Sequence, residues 1–146
     1  MKKNERFGVA IHILTYLDTY GKGKLSTSSA IAESIDTNPV VVRRILRHLN
    51  KAGFVSIVRG AGGTKLKVDS SQITLDVIYK MFADDIYHLH PNPNEQCPLG
   101  RVMNQSINDV LKPAVETFHD ALKEITIKNI VEKIEQDNKG EWLLCL

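Results

Sequence analysis

The chain has 146 residues, 42% hydrophobic and 25% charged, with a formal net charge of +2. That length allows a real core in one domain with a helical appendage. No apolar run approaches the ~20 residues that span a bilayer. The start, Met1-Lys-Lys-Asn-Glu, leads into an amphipathic segment and not a signal-peptide core, so a cytoplasmic protein without a membrane partner is expected. Cys97 and Cys145 form neither a disulfide framework nor a zinc set and read as cytosolic thiols.

The small net charge hides a split. Residues 1–68 hold twelve Lys/Arg and four Asp/Glu, a net +8, whereas residues 69–146 hold seven and thirteen, a net −6. A basic half beside an acidic half points to a polyanion that meets the first and not the second.

In chain order, Phe7, Ala10, Ile11, Leu14 and Leu17 recur at helical spacing and predict an amphipathic helix over about 4–20, ended by Gly21-Lys-Gly-Lys. His12 on it reads as a packed or surface side chain, not a ligand. Ser26 to Ser29 supply N-caps for a short helix near 27–35, and Asp36-Thr37 makes a turn. Asn38 is then an N-cap, with Pro39 at the first helical position, where its missing N–H costs nothing. Val42, Ile45, Leu46 and Leu49 share one face of this helix, while Val40, Arg43, Arg44, Arg47 and Lys51 share the opposite one. Gly53 stops it. Two β-rich runs, 54–58 and 65–68, flank Arg59-Gly-Ala-Gly-Gly and Thr64, a hairpin with a glycine-rich tip. Three helices and a hairpin in this order make a winged helix-turn-helix.

Thr74 is expected to cap a further helix carrying Val77, Ile78, Met81 and Phe82. His88, His90, Pro91, Pro93, Cys97 and Pro98 then mark a loop. Helical periodicity returns after Gly100 through Val110, Leu111, Val115, Phe118 and Leu122, with Pro113 expected to kink or interrupt it. Thr126 opens a last short helix with Ile127, Ile130, Val131 and Ile134. Such a stripe exceeds what one small winged domain covers, so pairing with a second copy is expected, the alternative being a fold-back onto its own domain. The expected fold is therefore mainly α with a small β-hairpin wing (α+β). A winged helix-turn-helix domain spans 1–84, a sensor-type loop 85–100, dimerisation helices 101–135 and a tail 136–146.

Duplex DNA offers base edges in a groove and phosphates beside it, and this pattern addresses both. Helix 39–51 is the expected recognition helix. Arg43 and Arg44 suit guanine or phosphate, Val40 and Val41 suit thymine methyls, and Arg47 lies further along for phosphate. Asn38 opens that helix. Thr27, Ser28 and Ser29 place hydroxyls and free N–H groups at another helix start, a phosphate site. Arg59 and Lys65 flank the wing glycines. The expected partner is double-stranded DNA. The competing reading is a winged-helix protein-interaction module. An enzyme has thin support, because Asp84, Asp85, His88 and His90 come without a nucleophile elbow, phosphate loop or metal-spaced motif.

The segment Ile31-Ala-Glu-Ser-Ile-Asp-Thr-Asn-Pro, the wing Arg59-Gly-Ala-Gly-Gly and the following Ile73-Thr-Leu-Asp-Val resemble the Rrf2 family of bacterial transcriptional regulators from about Glu5 to Ile134. The resemblance implies a homodimer with crossed C-terminal helices that binds a palindromic operator, usually as a repressor. Cluster-binding relatives place three cysteines in the loop before the dimerisation helix, and this chain has Cys97 alone there. One thiolate per subunit is poor provision for an iron–sulphur cluster, even with His88, His90 and Glu95 nearby, so no cofactor and no metal site are expected. The run His90-Pro…Cys97-Pro-Leu-Gly-Arg101 looks like the cluster-free branch, in some members of which one cysteine senses oxidants or electrophiles. Cys97 is thus the redox-sensing candidate, with an oxidant or small molecule as effector, against the alternative of a loop residue with no sensing role. Ala61 stands where the family commonly has proline.

Overall fold

The computed structural model describes residues 2–60 and 62–138. Ala61, Cys145 and the rest of the tail from 139 onward lie outside the described residues.

Helix α1, Lys3–Thr19, puts Ala10, Ile13, Leu14 and Leu17 wholly inside the molecule. They meet Ile31 and Ala32 of α2, Ser28–Ile35, and Val42, Ile45, Leu46 and Leu49 of α3, Pro39–Lys51. Local chemistry sets these boundaries. The Thr27 hydroxyl accepts from the Ala30 N–H at 3.1 Å, and the Asn38 side-chain oxygen accepts from the Val40 N–H at 2.8 Å, each meeting an orphan donor of a first turn. Asp36, at φ 60°, ends α2 in the left-handed region, which aspartate tolerates.

Strands β1, Val55–Val58, and β2, Gly63–Leu66, pair antiparallel with Val55 opposite Leu66 and Val58 opposite Gly63. The tip is therefore 59–62, and β2 begins two residues earlier than expected, at Gly63 and not Lys65. The cause is distant in sequence. Ser26 and Thr64 exchange both backbone hydrogen bonds, at 2.9 and 2.8 Å, which draws residues 63 and 64 into extended pairing. Gly63 sits at φ 127°, and a Cβ there would lie 2.6 Å from the Ser26 carbonyl oxygen, so only glycine fits. Beyond the strands, the Lys67 N–H still donates to the Phe54 carbonyl at 2.9 Å.

A 3₁₀ turn, Ser70–Gln72, leads to α4, Leu75–Phe82, whose Ile78 and Phe82 close the core. Helix α5 runs from Pro98 to Lys123, starting before the expected point because Pro98 occupies its first position and Cys97 its N-cap. Pro113 lies inside α5 without interrupting it. Proline removes one helical N–H, and on an exposed helix the carbonyl left without a donor turns to water. Among its described residues α5 buries none, and Leu99, Val102 and Val110 are at least half exposed.

The last helix departs from expectation. Helix α6, Ile127–Asn138, is no continuation of a free stripe: Ile127 and Val131 are buried in the same core as α1. Two backbone bonds, Leu75 N–H to Ile125 carbonyl at 2.8 Å and Ile127 N–H to Ile73 carbonyl at 3.0 Å, clip the chain back beside the start of α4. Residues 101–135 thus divide into an exposed α5 and an α6 that belongs to the winged domain. The amphipathic spacing showed which face of α6 is apolar but not what covers it.

Helix α4 is tied to α5 by one polar contact. Asp76, 3% exposed, lies 2.7 Å from His119 Nδ1 and 2.9 Å from Lys80 Nζ. Burial alone would raise its pKa, but hydrogen bonds from Lys80 and His119 outweigh that, and the carboxyl titrates below its ordinary value of 3.8. The stability this carboxylate contributes is fully present above that ordinary value and is lost as pH falls through the depressed one. Asp76→Asn is expected to cost about 2 kcal/mol near neutral pH, a fall in Tm of about 4–8 °C. In thermal melts taken at descending pH, the gap from the parent chain should close once the parent's carboxyl is protonated.

Candidate nucleic-acid interface

Helix α3 presents its charged side to solvent because its four buried apolar residues, Val42, Ile45, Leu46 and Leu49, all point the other way. Side chains four apart stack on one flank of a helix, so the cations separate into two rows. Arg43 and Arg47 lie along the flank facing α2 and the wing, and Arg44 and His48 along the flank facing α1 and α4. The sequence pattern had grouped Arg43, Arg44 and Arg47 on a single face.

On the wing side is a groove of about 320 Å³ lined by Thr27, Ser28, Arg43, Arg47 and Gly60, Gly62 and Gly63. Arg43 Nη1 donates to the Ser28 hydroxyl at 3.3 Å, which joins α3 to the start of α2. The glycines leave bare backbone on the opposite wall. Ser29 is exposed in the first turn of α2, Arg59 is exposed at the tip, and Lys65 is exposed on β2 opposite Ser56. Val40 is half exposed at the front of α3, whereas Val41 is half-buried against the core. Asn38 already spends its side-chain oxygen on the Val40 N–H.

The other flank was not anticipated. A second groove, of about 390 Å³, is lined by Arg6 from α1, Arg44 and His48 from α3, Lys80 from α4, and apolar neighbours that include Met81 and Phe82. The spacing of Arg44 and His48 hinted at it, but the approach of Arg6 and Lys80 depends on how α1 and α4 pack. His12, for its part, bonds the Ser34 hydroxyl at 3.1 Å, and burial lowers its pKa. It joins α1 to α2, away from either groove.

Cys97 is exposed and free. Around it the loop is held by its own backbone: the Cys97 N–H donates to the Asn94 carbonyl at 3.2 Å, and Arg101 Nε donates to the Glu95 carbonyl at 3.2 Å. His90 Nδ1 accepts from the Asn92 N–H at 3.2 Å, and His88 Nε2 lies 3.9 Å from Asp84. Among the described residues no three His, Cys, Asp or Glu side chains converge as metal ligands. A single loop thiol, with the His90 ring bonded to the Asn92 N–H and the His88 ring near Asp84, does not fit an iron–sulphur cluster, which takes mainly thiolates. No helix among the described residues is long and apolar enough to cross a membrane.

A sequence profile described as Rrf2, iron-dependent transcriptional regulator, matches residues 4–133. The chain is 31% identical over 133 residues to a Bacillus subtilis (strain 168) protein provisionally named HTH-type transcriptional regulator YwnA, covering 90% of this chain and 98% of that one. In fold it is similar to IscR of T. potens, with a TM-score of 0.65 and 18% identity over 90% of this chain and 87% of that one. It is likewise similar to CymR of Staphylococcus aureus, with a TM-score of 0.60 and 19% identity over 88% and 96%. A helix-turn-helix with a basic exposed face, a glycine-tipped wing and a profile match over nearly the whole chain lead to one assignment: this protein belongs to the Rrf2 family of DNA-binding transcriptional regulators.

Proposed function

We propose that the chain is a cytoplasmic, homodimeric repressor that reads a palindromic operator through α3 and needs no cofactor. The observation that carries the reading is the Arg43–Ser28 contact within the wing-side groove. It sets a guanidinium, a helix start and a bare glycine turn around one space, where a phosphate strand meets donors from three elements while α3 enters the major groove. Arg43 reads guanine or grips phosphate. Val40 contacts thymine methyls, and Val41, with less free surface, adds little. Thr27, Ser28 and Ser29 hold phosphate at the start of α2. Arg44 and Arg47 hold the flanks of α3, Asn38 orders its first turn, and Arg59 and Lys65 bring the wing to the adjacent backbone. Arg43→Ala is expected to weaken operator binding by about 1–3 kcal/mol and to relax preference at one base pair. A mobility-shift series over single-base operator variants checks this, and equal loss on every sequence would reassign Arg43 to phosphate.

The homodimer rests on α5. Its exposed Leu99, Val102 and Val110 need cover, and an antiparallel second α5 supplies the same stripe in return. Two α3 helices would then meet major-groove faces roughly 34 Å apart or a multiple of it. Val110→Lys, at a position 77% exposed in the single chain, is expected to shift sedimentation from dimer toward monomer while leaving the monomer's fold unchanged. An unchanged sedimentation profile would move the dimer contact off this stripe.

Cys97 is the proposed sensor. Its exposed thiol sits at the N-cap of the helix that would join the two copies. A peroxide oxidises the thiolate to sulfenic acid and is itself reduced to water, adding a polar oxygen at the start of α5. Operator binding by the parent chain should fall after peroxide treatment and recover with a thiol reductant, whereas Cys97→Ser should bind equally before and after. Peroxide sensitivity retained in Cys97→Ser would end this assignment.

A further inference from the structure

We propose that the groove between α1, α3 and α4 seats the sugar–phosphate backbone of the DNA strand on the side of α3 away from the wing, with Arg6 as its principal ligand. This rests on the proposed reading that α3 is the recognition helix. The major groove is about 12 Å wide, close to the diameter of a helix with its side chains, so a helix lying in it has a phosphate strand along each flank. The wing-side groove accounts for one strand. The other runs past the opposite flank of α3, where Arg6, Arg44, His48 and Lys80 line the second groove and no Asp or Glu does.

The four groups differ in what they have free. Lys80 is shared with Asp76 at 2.9 Å, so part of its charge is already answered. The His48 ring stands edge-on to Phe82, with centroids 6.1 Å apart, and forms the wall of the groove. Arg44 and Arg6 have no hydrogen-bond or ion-pair partner among the described side chains, and Arg6 comes from a different helix. Arg6 is half-buried and lines the groove, and an arginine so placed can rest its stem on apolar neighbours and turn its guanidinium to a phosphate. Met81 and Phe82 add apolar surface beside these cations.

The test is fluorescence anisotropy of the full-length chain on a random-sequence duplex over a salt series. Each phosphate contact contributes about 0.9 to the slope of log K against log salt. Arg6→Gln should therefore flatten the slope by about 0.9 and weaken binding about eight-fold at 0.1 M salt, alike on all sequences. Arg6→Lys should restore most of the slope, because charge and not shape is what the phosphate takes. Lys128→Gln, exposed on α6, removes the same charge far from α3 and should leave the slope unchanged. If the parent chain gives a steep slope and Arg6→Gln matches it, the second seat is overturned and the recognition reading stands. Equal losses in Arg6→Gln and Arg6→Lys would also overturn it, since the effect would then be structural. A parent chain with no salt-dependent binding would overturn both.

Discussion

Two backbone hydrogen bonds between Ser26 and Thr64 decide where the candidate DNA-contacting surface lies. Ser26 immediately precedes the cap of α2, and Thr64 is the second residue of β2, so one exchange sets the wing against the start of α2. The Arg43 side chain then closes the third side by reaching Ser28. A two-stranded ribbon by itself is marginal in water; Val55 and Leu66 anchor this one to the helical core, and the Ser26–Thr64 pairing fixes it against the start of α2. With it, the glycine tip is held across a fixed groove from α3. Gly63 is the residue through which the constraint acts, because the close approach leaves no room for a side chain.

A second clip works on the other side of the molecule. The pairing around Thr74 and Thr126 returns the chain to the core after α5, so that α6 packs on α1. After α5 the chain therefore re-enters the winged domain at a point fixed by hydrogen bonds, with the Asp76–His119 contact bracing α4 against α5. Lys80 belongs to this brace and also lines the groove beside Arg44 and His48. A rearrangement of α5 at His119 thus has a short physical path to a surface that faces α3. Along that path stands Tyr79, in edge contact with His119 and Phe118, whose hydroxyl pKa is raised by burial and by the nearby Asp85 and Asp84.

Much of this was legible in the residues, for a physical reason. Thr27, Asn38 with Pro39, and Gly53 set helix ends by chemistry confined to one turn, and a four-residue apolar face on α3 leaves the arginines only one side to occupy. What was not legible depends on partners far away in the chain. The start of β2 follows from Ser26, 38 positions from Thr64. The buried Asp76 passes for an ordinary first-turn acid until His119, 43 positions on, is seen beside it. The place of α6 stood only as the alternative, a fold-back onto its own domain, because an amphipathic stripe specifies a face without specifying its cover. The separation of Arg43 from Arg44 is subtler. Neighbouring residues on a helix are about 100° apart, enough to send two arginines of one basic face into different grooves.

The bare surface of α5 has a consequence for how the protein would work at low abundance. On the dimer reading, that stripe is shielded only when two chains meet, so mass action enters the stability of the DNA-competent form. While most of the protein is monomeric, operator occupancy would rise with the square of its concentration and not in proportion to it. A regulator built this way responds to its own synthesis and dilution as well as to any chemical signal. Growth that doubles the cell volume without new synthesis would halve its concentration and cost it more than half of its grip on weak operators.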